Sequence, residues 1–135
     1  INGCTSLETL EVQNNRIHSL PELDGLESLK LLNVHGNCLT RLPDKLPMGL
    51  QQLAVGNNKL VEIPASIGGL QALQSLWLKN NRVRRLPPEI GGCANLRLLV
   101  IYGNKLVELP ETLQGCAQLE HLACYANRLP PRKPS

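Results

Sequence analysis

The chain has 135 residues, with 14 Lys and Arg against 11 Asp and Glu, a formal net charge of +3, and only 2% aromatic residues. This charge is too small to indicate a nucleic-acid or membrane partner, and so few aromatics weigh against stacking on single-stranded bases. The sequence contains no apolar run long enough to span a bilayer and no recognisable signal peptide, so no membrane insertion is expected.

One spacing of leucines runs through the whole chain. Successive copies begin 21 to 23 residues apart, at Leu7, Leu29, Leu50, Leu73, Leu96 and Leu119. Each start is followed three residues later by a second leucine and after two more by a third apolar residue. A period of this length is typical of a solenoid, in which each repeat packs on its neighbours. We therefore expect one domain, residues 1–135, of about six repeats: 7–28, 29–49, 50–72, 73–95, 96–118 and 119–135.

An asparagine follows the third apolar residue in every copy. The six are Asn15, Asn37, Asn58, Asn81, Asn104 and Asn127, and another apolar residue comes two positions after each. Because an amide side chain both donates and accepts hydrogen bonds, we predict a structural ladder of these asparagines. It would satisfy buried peptide groups where the chain leaves each strand.

The pattern LxxLxLxxNxL, complete six times, resembles that of leucine-rich repeat proteins over nearly the whole chain. The continuations LPPEIGGCANL and LPETLQGCAQL resemble the intracellular 23-residue subclass (LxxLxLxxNxLxxLPxxIxxL) found in Ras-pathway scaffolds, Roco proteins and plant relatives. The shorter LPDKLPMGLQQL of the second copy resembles the repeats of bacterial effector ubiquitin ligases.

The alternation of each LxL segment predicts a short strand, and strands of successive repeats would stack as a parallel sheet. Leu-Pro steps, as at Leu86 and Pro87, forbid a continued ladder and turn the chain to the convex side. The predicted fold is of the α/β class. It is a leucine-rich repeat solenoid, a curved right-handed arc with a concave parallel β-sheet and short helical or irregular convex returns.

Both ends of the chain indicate a fragment of a longer protein. The stretch from Asn2 to Leu7 has the form of the end of a preceding repeat, because it matches the stretch from Gly92 to Leu96. The last residues, from Leu129 onward, carry no recognisable cap.

Four of the five cysteines are expected to be buried small hydrophobes. Cys4, Cys93 and Cys116 occupy a return position that is leucine in other repeats, and Cys124 replaces the third apolar residue. Clustered cysteine caps typical of extracellular relatives are absent, which favours a reducing, cytoplasmic setting. The resemblance of the second repeat leaves open a secreted bacterial effector that acts in the host cytosol.

Cys38 is predicted to be an exposed thiol, on the same inner face as His35. A Cys-His nucleophile or a two-ligand metal site is the alternative, but the neighbouring repeats offer only Glu11 and Gln13 as further groups. We therefore predict no enzyme activity and no cofactor, and we assign no catalytic, cofactor-binding or metal-binding residues.

Cationic residues occupy five of the six positions that directly follow the asparagines. They are Arg16, Lys59, Arg82, Lys105 and Arg128. We interpret this column as a solvated edge, partly countered by Glu62 and Glu108. The alternatives are a surface for an acidic protein and one for nucleic acid, which no interleaved aromatics support.

The three aromatic residues, Trp77, Tyr102 and Tyr125, all fall on outward positions of the last three predicted strands. Exposed aromatics often dominate binding energy, so we predict a partner-binding concave face with the smaller, polar first half as its rim. The residues of this face are Trp77, Lys79, Arg82, Leu98, Val100, Tyr102, Lys105, His121, Tyr125 and Arg128. The alternative is that the aromatics pack on one another in adjacent strands.

These features favour a non-catalytic scaffold or recognition module that binds a protein partner. The resemblance to Ras-pathway scaffolds implies a small GTPase or a kinase as that partner. The resemblance of the second repeat implies instead a ubiquitination substrate, recognised for a bacterial E3 ligase whose catalytic domain lies elsewhere. A structural spacer in a multidomain protein is a further alternative, and no small-molecule substrate is expected.

Overall fold

A computed structural model describes residues 4–130, and it contains one open sheet of six parallel strands in chain order. The strands are β1 Thr9–Glu11, β2 Leu31–Asn33, β3 Gln52–Ala54, β4 Ser75–Trp77, β5 Leu98–Val100 and β6 His121–Ala123. The predicted repeat end at Asn2 and Gly3, and the tail of the sixth predicted repeat from residue 131, lie outside the described residues.

The middle residue of every strand is a leucine, and the six pair in register from one strand to the next. In the four inner strands this leucine is fully buried. Leu122 of β6 is 39% exposed, because β6 has a neighbouring strand on only one side within the described chain. The core is therefore continuous through the middle repeats and thins towards both ends.

Three repeats return through short 3₁₀ helices on the convex side, at Ala65–Gly69, Pro88–Gly92 and Glu111–Gly115. A proline with φ near −67° precedes each helix and fixes the direction in which the chain enters it, whereas the first two returns are irregular. The helices stack closely: a Cβ on Gly68 would overlap the carbonyl oxygen of Glu89, and one on Gly91 that of Thr112. Within residues 4–130 no helix combines the length and apolar character needed to cross a membrane.

The asparagines form a ladder of hydrogen bonds between repeats. The Asn81 amide donates to the carbonyl oxygens of Val55, Leu78 and Lys79 at 3.0–3.2 Å, and its Oδ1 accepts from the Leu60 N–H at 3.0 Å. The same pattern recurs at Asn37, Asn58, Asn104 and Asn127. Each asparagine thus joins the strand exit of its own repeat to the repeat before it.

A second column, directly before the asparagines, has left-handed backbone conformation in all six repeats. Its φ values lie between 53° and 73°, at Asn14, Gly36, Asn57, Asn80, Gly103 and Ala126. Asparagine and glycine tolerate this conformation, and their recurrence at one position is a sequence signal that the leucine spacing does not reveal. Ala126 is the one residue in the column that is neither glycine nor asparagine, and its Cβ makes the left-handed backbone conformation strained.

The cysteines differ in burial. Cys93 and Cys116 are buried as predicted, and their thiols donate to the carbonyl oxygens of Ile67 and Ile90. Burial, with a smaller contribution from Cys116, raises the pKa of Cys93 to about 11, and burial also raises the pKa of Cys116. The prediction for Cys4 was wrong, because it is exposed with no described repeat packed over it. Cys124 is half-buried, and so is Cys38, which we had expected to be exposed.

We expect Asn81→Ala to lower the free energy of unfolding by about 1–3 kcal/mol, because it leaves buried peptide groups unpaired. Asn15→Ala is the matched control: Asn15 is exposed, and its Oδ1 accepts no hydrogen bond within the described chain. Urea denaturation followed by circular dichroism measures both variants. Equal losses for the two would contradict the role of the ladder.

We expect Ala126→Asn to raise the free energy of unfolding by up to about 1 kcal/mol, because asparagine relieves part of the left-handed strain. The control is Ala94→Asn, since Ala94 is exposed and has an ordinary backbone. Thermal unfolding of the two variants provides the comparison. A gain at Ala94 as large as that at Ala126 would rule out strain as the cause.

Alkylation by iodoacetamide at pH 8 should modify Cys4 fastest and Cys93 and Cys116 slowest. The raised pKa of Cys93, about 11 against an ordinary 9.0, lowers its reactive thiolate fraction by about 100-fold, beyond the steric protection of burial. Peptide mass spectrometry over time gives the five rates, and protein unfolded in urea is the control. Rapid modification of Cys93 in the folded protein would show that the returns open readily.

Candidate concave binding face

The residues flanking each central leucine, and the second residue after each strand, form three columns across the sheet, which together we call the concave face. The first column is Thr9, Leu31, Gln52, Ser75, Leu98 and His121. The second is Glu11, Asn33, Ala54, Trp77, Val100 and Ala123. The third is Gln13, His35, Gly56, Lys79, Tyr102 and Tyr125. Strand register brings together residues far apart in the sequence.

Tyr102 and Tyr125 stack on each other at the C-terminal end of the face. Their ring centroids are 4.7 Å apart and the ring planes differ by 6°. The sequence analysis gave such packing between aromatic residues of adjacent strands as the alternative to partner binding. The stacking leaves Tyr102 half-buried, whereas Tyr125 remains 65% exposed. The pair therefore presents a flat apolar surface, with Val100 and Leu98 half-buried on the adjacent strand β5.

Trp77 makes no ring stack with the tyrosines and instead borders a hollow towards the N-terminal strands. The hollow has a volume of about 320 Å³ and is lined by Glu11, Leu31, Leu32, Asn33, His35, Gln52, Ala54, Trp77 and Lys79. It exists because β3 contributes the small residue Ala54, and Gly56 follows it. The first half of the face was expected to be only a rim, so most of these residues were missed. The sequence signal that could have predicted the hollow is the pair of small residues, Ala54 and Gly56, which lie between larger residues of the neighbouring strands.

The cationic column runs along the edge of the face where the chain leaves the strands. We call Arg16, Lys59, Arg82, Lys105 and Arg128 the cationic edge. Ion pairs among the described residues join Lys30 to Glu8, Arg85 to Glu108 and Arg97 to Glu120, and none involves this edge. Glu108 thus pairs with Arg85 at 3.5 Å and does not offset the edge as expected.

Cys38 and His35 do not form a reactive pair with further groups in the described structure. His35 is half-buried, and its backbone N–H donates to Asn33 Oδ1 at 3.1 Å. No group of three or more His, Cys, Asp or Glu suited to a metal ion occurs between residues 4 and 130. The described residues of the face present apolar side chains, hydrogen-bonding groups, the Glu11 carboxylate and the Lys79 ammonium.

The predicted binding residues divide into three sub-surfaces. Tyr102 and Tyr125 form the stacked pair, with Leu98, Val100 and the exposed His121 beside it. Trp77 and Lys79 belong to the hollow. Arg82, Lys105 and Arg128 belong to the cationic edge. Among the described residues, Trp77 therefore makes no ring contact with the tyrosine pair.

Family profiles match two parts of the chain. A profile described as two copies of leucine-rich repeats matches residues 5–47, and a profile of a single leucine-rich repeat matches residues 72–93. Among curated proteins, fibromodulin of Oryctolagus cuniculus is 37% identical over 67 residues, which cover 49% of this chain and 46% of the relative. Lumican of Bos taurus is 35% identical over 65 residues, 46% of this chain and 19% of the relative. The matches thus span less than half the length of these relatives.

Solved structures match nearly the whole chain. A leucine-rich repeat protein of Leptospira interrogans has a TM-score of 0.88 at 30% identity, over 96% of this chain and 34% of that one. YopM, a leucine-rich effector protein from Yersinia pestis, has a TM-score of 0.82 at 38% identity, over 91% and 33%. The plant peptide hormone receptor RGFR1, in complex with RGF2, has a TM-score of 0.81 at 28% identity, over 95% and 22%. Together with the in-register strands and the asparagine ladder, these matches show that the chain is a leucine-rich repeat protein.

Proposed function

We propose that this chain is a recognition module that binds a protein partner across its concave face and carries out no chemistry of its own. The observation that carries the proposal is the placement of the aromatic residues. The chain has one Trp and two Tyr, and all three lie on this face. Aromatic side chains supply large rigid contact areas at low entropic cost, and they are enriched among the residues that dominate binding energy.

The proposal assigns different roles to the sub-surfaces. Tyr125, 65% exposed over its stacked neighbour, and Trp77 at the wall of the hollow act as apolar anchors. The cations Arg82, Lys105 and Arg128, which have no ion-pair partner within residues 4–130, face acidic groups of the partner. Such peripheral charges contribute more to association rate and specificity than to affinity.

Two partner classes follow from the resemblances. The 23-residue repeats favour a small GTPase or a kinase, bound in the cytoplasm. The second repeat, together with the likeness to an effector of Yersinia pestis, favours a bacterial effector that acts in a host cytosol, with a ubiquitination substrate as partner. The structural match to a receptor in complex with RGF2 supports ligand recognition in general. A spacer role would make the aromatic face dispensable.

The test is a pull-down from cell extract with the chain beside its Trp77→Ala/Tyr102→Ala/Tyr125→Ala variant. The matched control is Met48→Ala/Val61→Ala/Val107→Ala, which removes three exposed apolar residues outside the three columns of the concave face. Circular dichroism confirms that all three proteins are folded. We expect partners to be lost with the aromatic variant and kept with the control.

For a partner identified in this way, calorimetry on single variants should find at least one of Trp77, Tyr102 and Tyr125 whose removal costs about 2 kcal/mol, or about 30-fold in Kd. Partners retained by the triple aromatic variant would overturn the proposal. They would direct attention to the cationic edge or to a spacer role.

A further inference from the structure

We propose that the hollow between β2 and β4 is a receptor for an acidic side chain, Asp or Glu, presented by the protein partner. This rests on the proposed function, because the hollow belongs to the same concave face. The carboxylate would lie at the Lys79 end of the hollow and pair with the ammonium group of that side chain.

Gly56 lets two of the side chains that line the hollow, those of His35 and Lys79, approach each other. It is buried, and a Cβ built on it would lie 2.8 Å from Lys79 Cγ and 3.1 Å from His35 Nδ1. The stem of one basic side chain and the ring nitrogen of another therefore meet over a residue that has no side chain of its own. Any larger residue would push them apart, so glycine at this position sets where the Lys79 stem and the His35 ring lie along the wall of the hollow.

Three polar groups of the hollow offer free donors, whereas Glu11 and Gln52, which also line it, supply acceptors. Asn33 Oδ1 accepts the His35 N–H, so the Asn33 group left for a ligand is its amide NH₂. The Trp77 indole N–H and the Lys79 ammonium can only donate. Neither has a hydrogen-bond or ion-pair partner among residues 4–130. A carboxylate only accepts, at about four lone-pair sites, so it complements this set of donors.

Charge distribution favours an anion at the same place. Lys79 precedes Arg82 of the cationic edge by three residues, and Lys59, Lys79 and Arg82 form no ion pair in the described chain. Two acceptors of the face, Glu11 at the opposite end of the hollow and the buried, unpaired Gln13 Oε1, lie on or just after β1. From β1 to β4 is three strand spacings, about 14 Å. An acidic group at the Lys79 end avoids them and gains charge-assisted hydrogen bonds.

The experiment selects a phage-displayed library of random dodecapeptides on the folded chain. Fusion of each peptide to the coat protein through its C-terminus leaves side chains as the source of carboxylates. Selected peptides are then measured on Gly56→Ala, whose added methyl group would displace the Lys79 stem, and on Lys79→Met, which keeps most of the stem and removes the charge. Lys45→Met makes the same change at an exposed residue outside both the concave face and the cationic edge, and is the matched control.

We expect a class of peptides with an invariant Asp or Glu. Their affinity should fall at least tenfold on both Gly56→Ala and Lys79→Met, and remain within twofold on Lys45→Met. Exchange of the invariant Asp for Asn, or Glu for Gln, in the synthetic peptide should lose at least tenfold as well. Since Lys79→Met is a surface change that leaves the backbone ladder intact, the proposal stays testable even if Gly56→Ala misfolds.

Three results would overturn the receptor. One is a set of peptides sensitive to Lys79→Met with no fixed acidic residue, and a second is an invariant Lys or Arg whose binding depends on Glu11. The third is a selection in which no peptide is sensitive to Lys79→Met. Peptides lost on Tyr102→Ala/Tyr125→Ala but indifferent to Lys79→Met would overturn the receptor and leave the proposed function standing. Extract partners that survive loss of the aromatics would overturn the proposed function alone.

Discussion

Where each strand ends, the chain turns away and leaves peptide groups inside the stack with no sheet partner. An asparagine side chain supplies the missing hydrogen-bond partners, as at Asn58. Its NH₂ donates to carbonyl oxygens of two successive repeats, and its Oδ1 accepts an N–H of the earlier one. Because unpaired buried peptide groups are costly, this amide fixes how far each repeat can slide or rotate on the last. The leucine core can then be continuous, since identical exits bring identical leucines into one layer.

Because the leucine core and the asparagine ladder hold the repeats together, the residues of the concave columns can vary. Core and ladder positions must repeat, whereas the residues between them face solvent and are set by what the face contacts. The result is three unlike sub-surfaces on one regular scaffold. A stacked tyrosine pair lies at one end, a donor-rich hollow lies towards the other, and an unpaired cationic edge runs along their side.

Sequence periodicity was sufficient to predict the fold, because strand and core positions are dictated by local spacing and nearest-neighbour packing. The six-stranded parallel sheet and the turn at each Leu-Pro step follow from that spacing. Side-chain pairing was not predictable in this way. Strand register places Arg85 and Glu108 near one another. Whether Glu108 forms an ion pair with Arg85 or lies near the cationic edge depends on the conformations of the side chains. The prediction that Cys4 is buried was wrong for a related reason. Its burial depends on packing against a neighbouring repeat, which the spacing within its own repeat does not reveal.

The strands pair residue for residue, without stagger, from β1 to β6. A whole repeat could therefore be inserted between β4 and β5 while the contacts within each half keep their form. Such an event would move the tyrosine pair relative to the hollow in steps of about 4.8 Å. The distance between the two binding elements can therefore change only in whole strand spacings. Related proteins could match partners of different sizes by duplicating a repeat, without changing any side chain that contacts the partner.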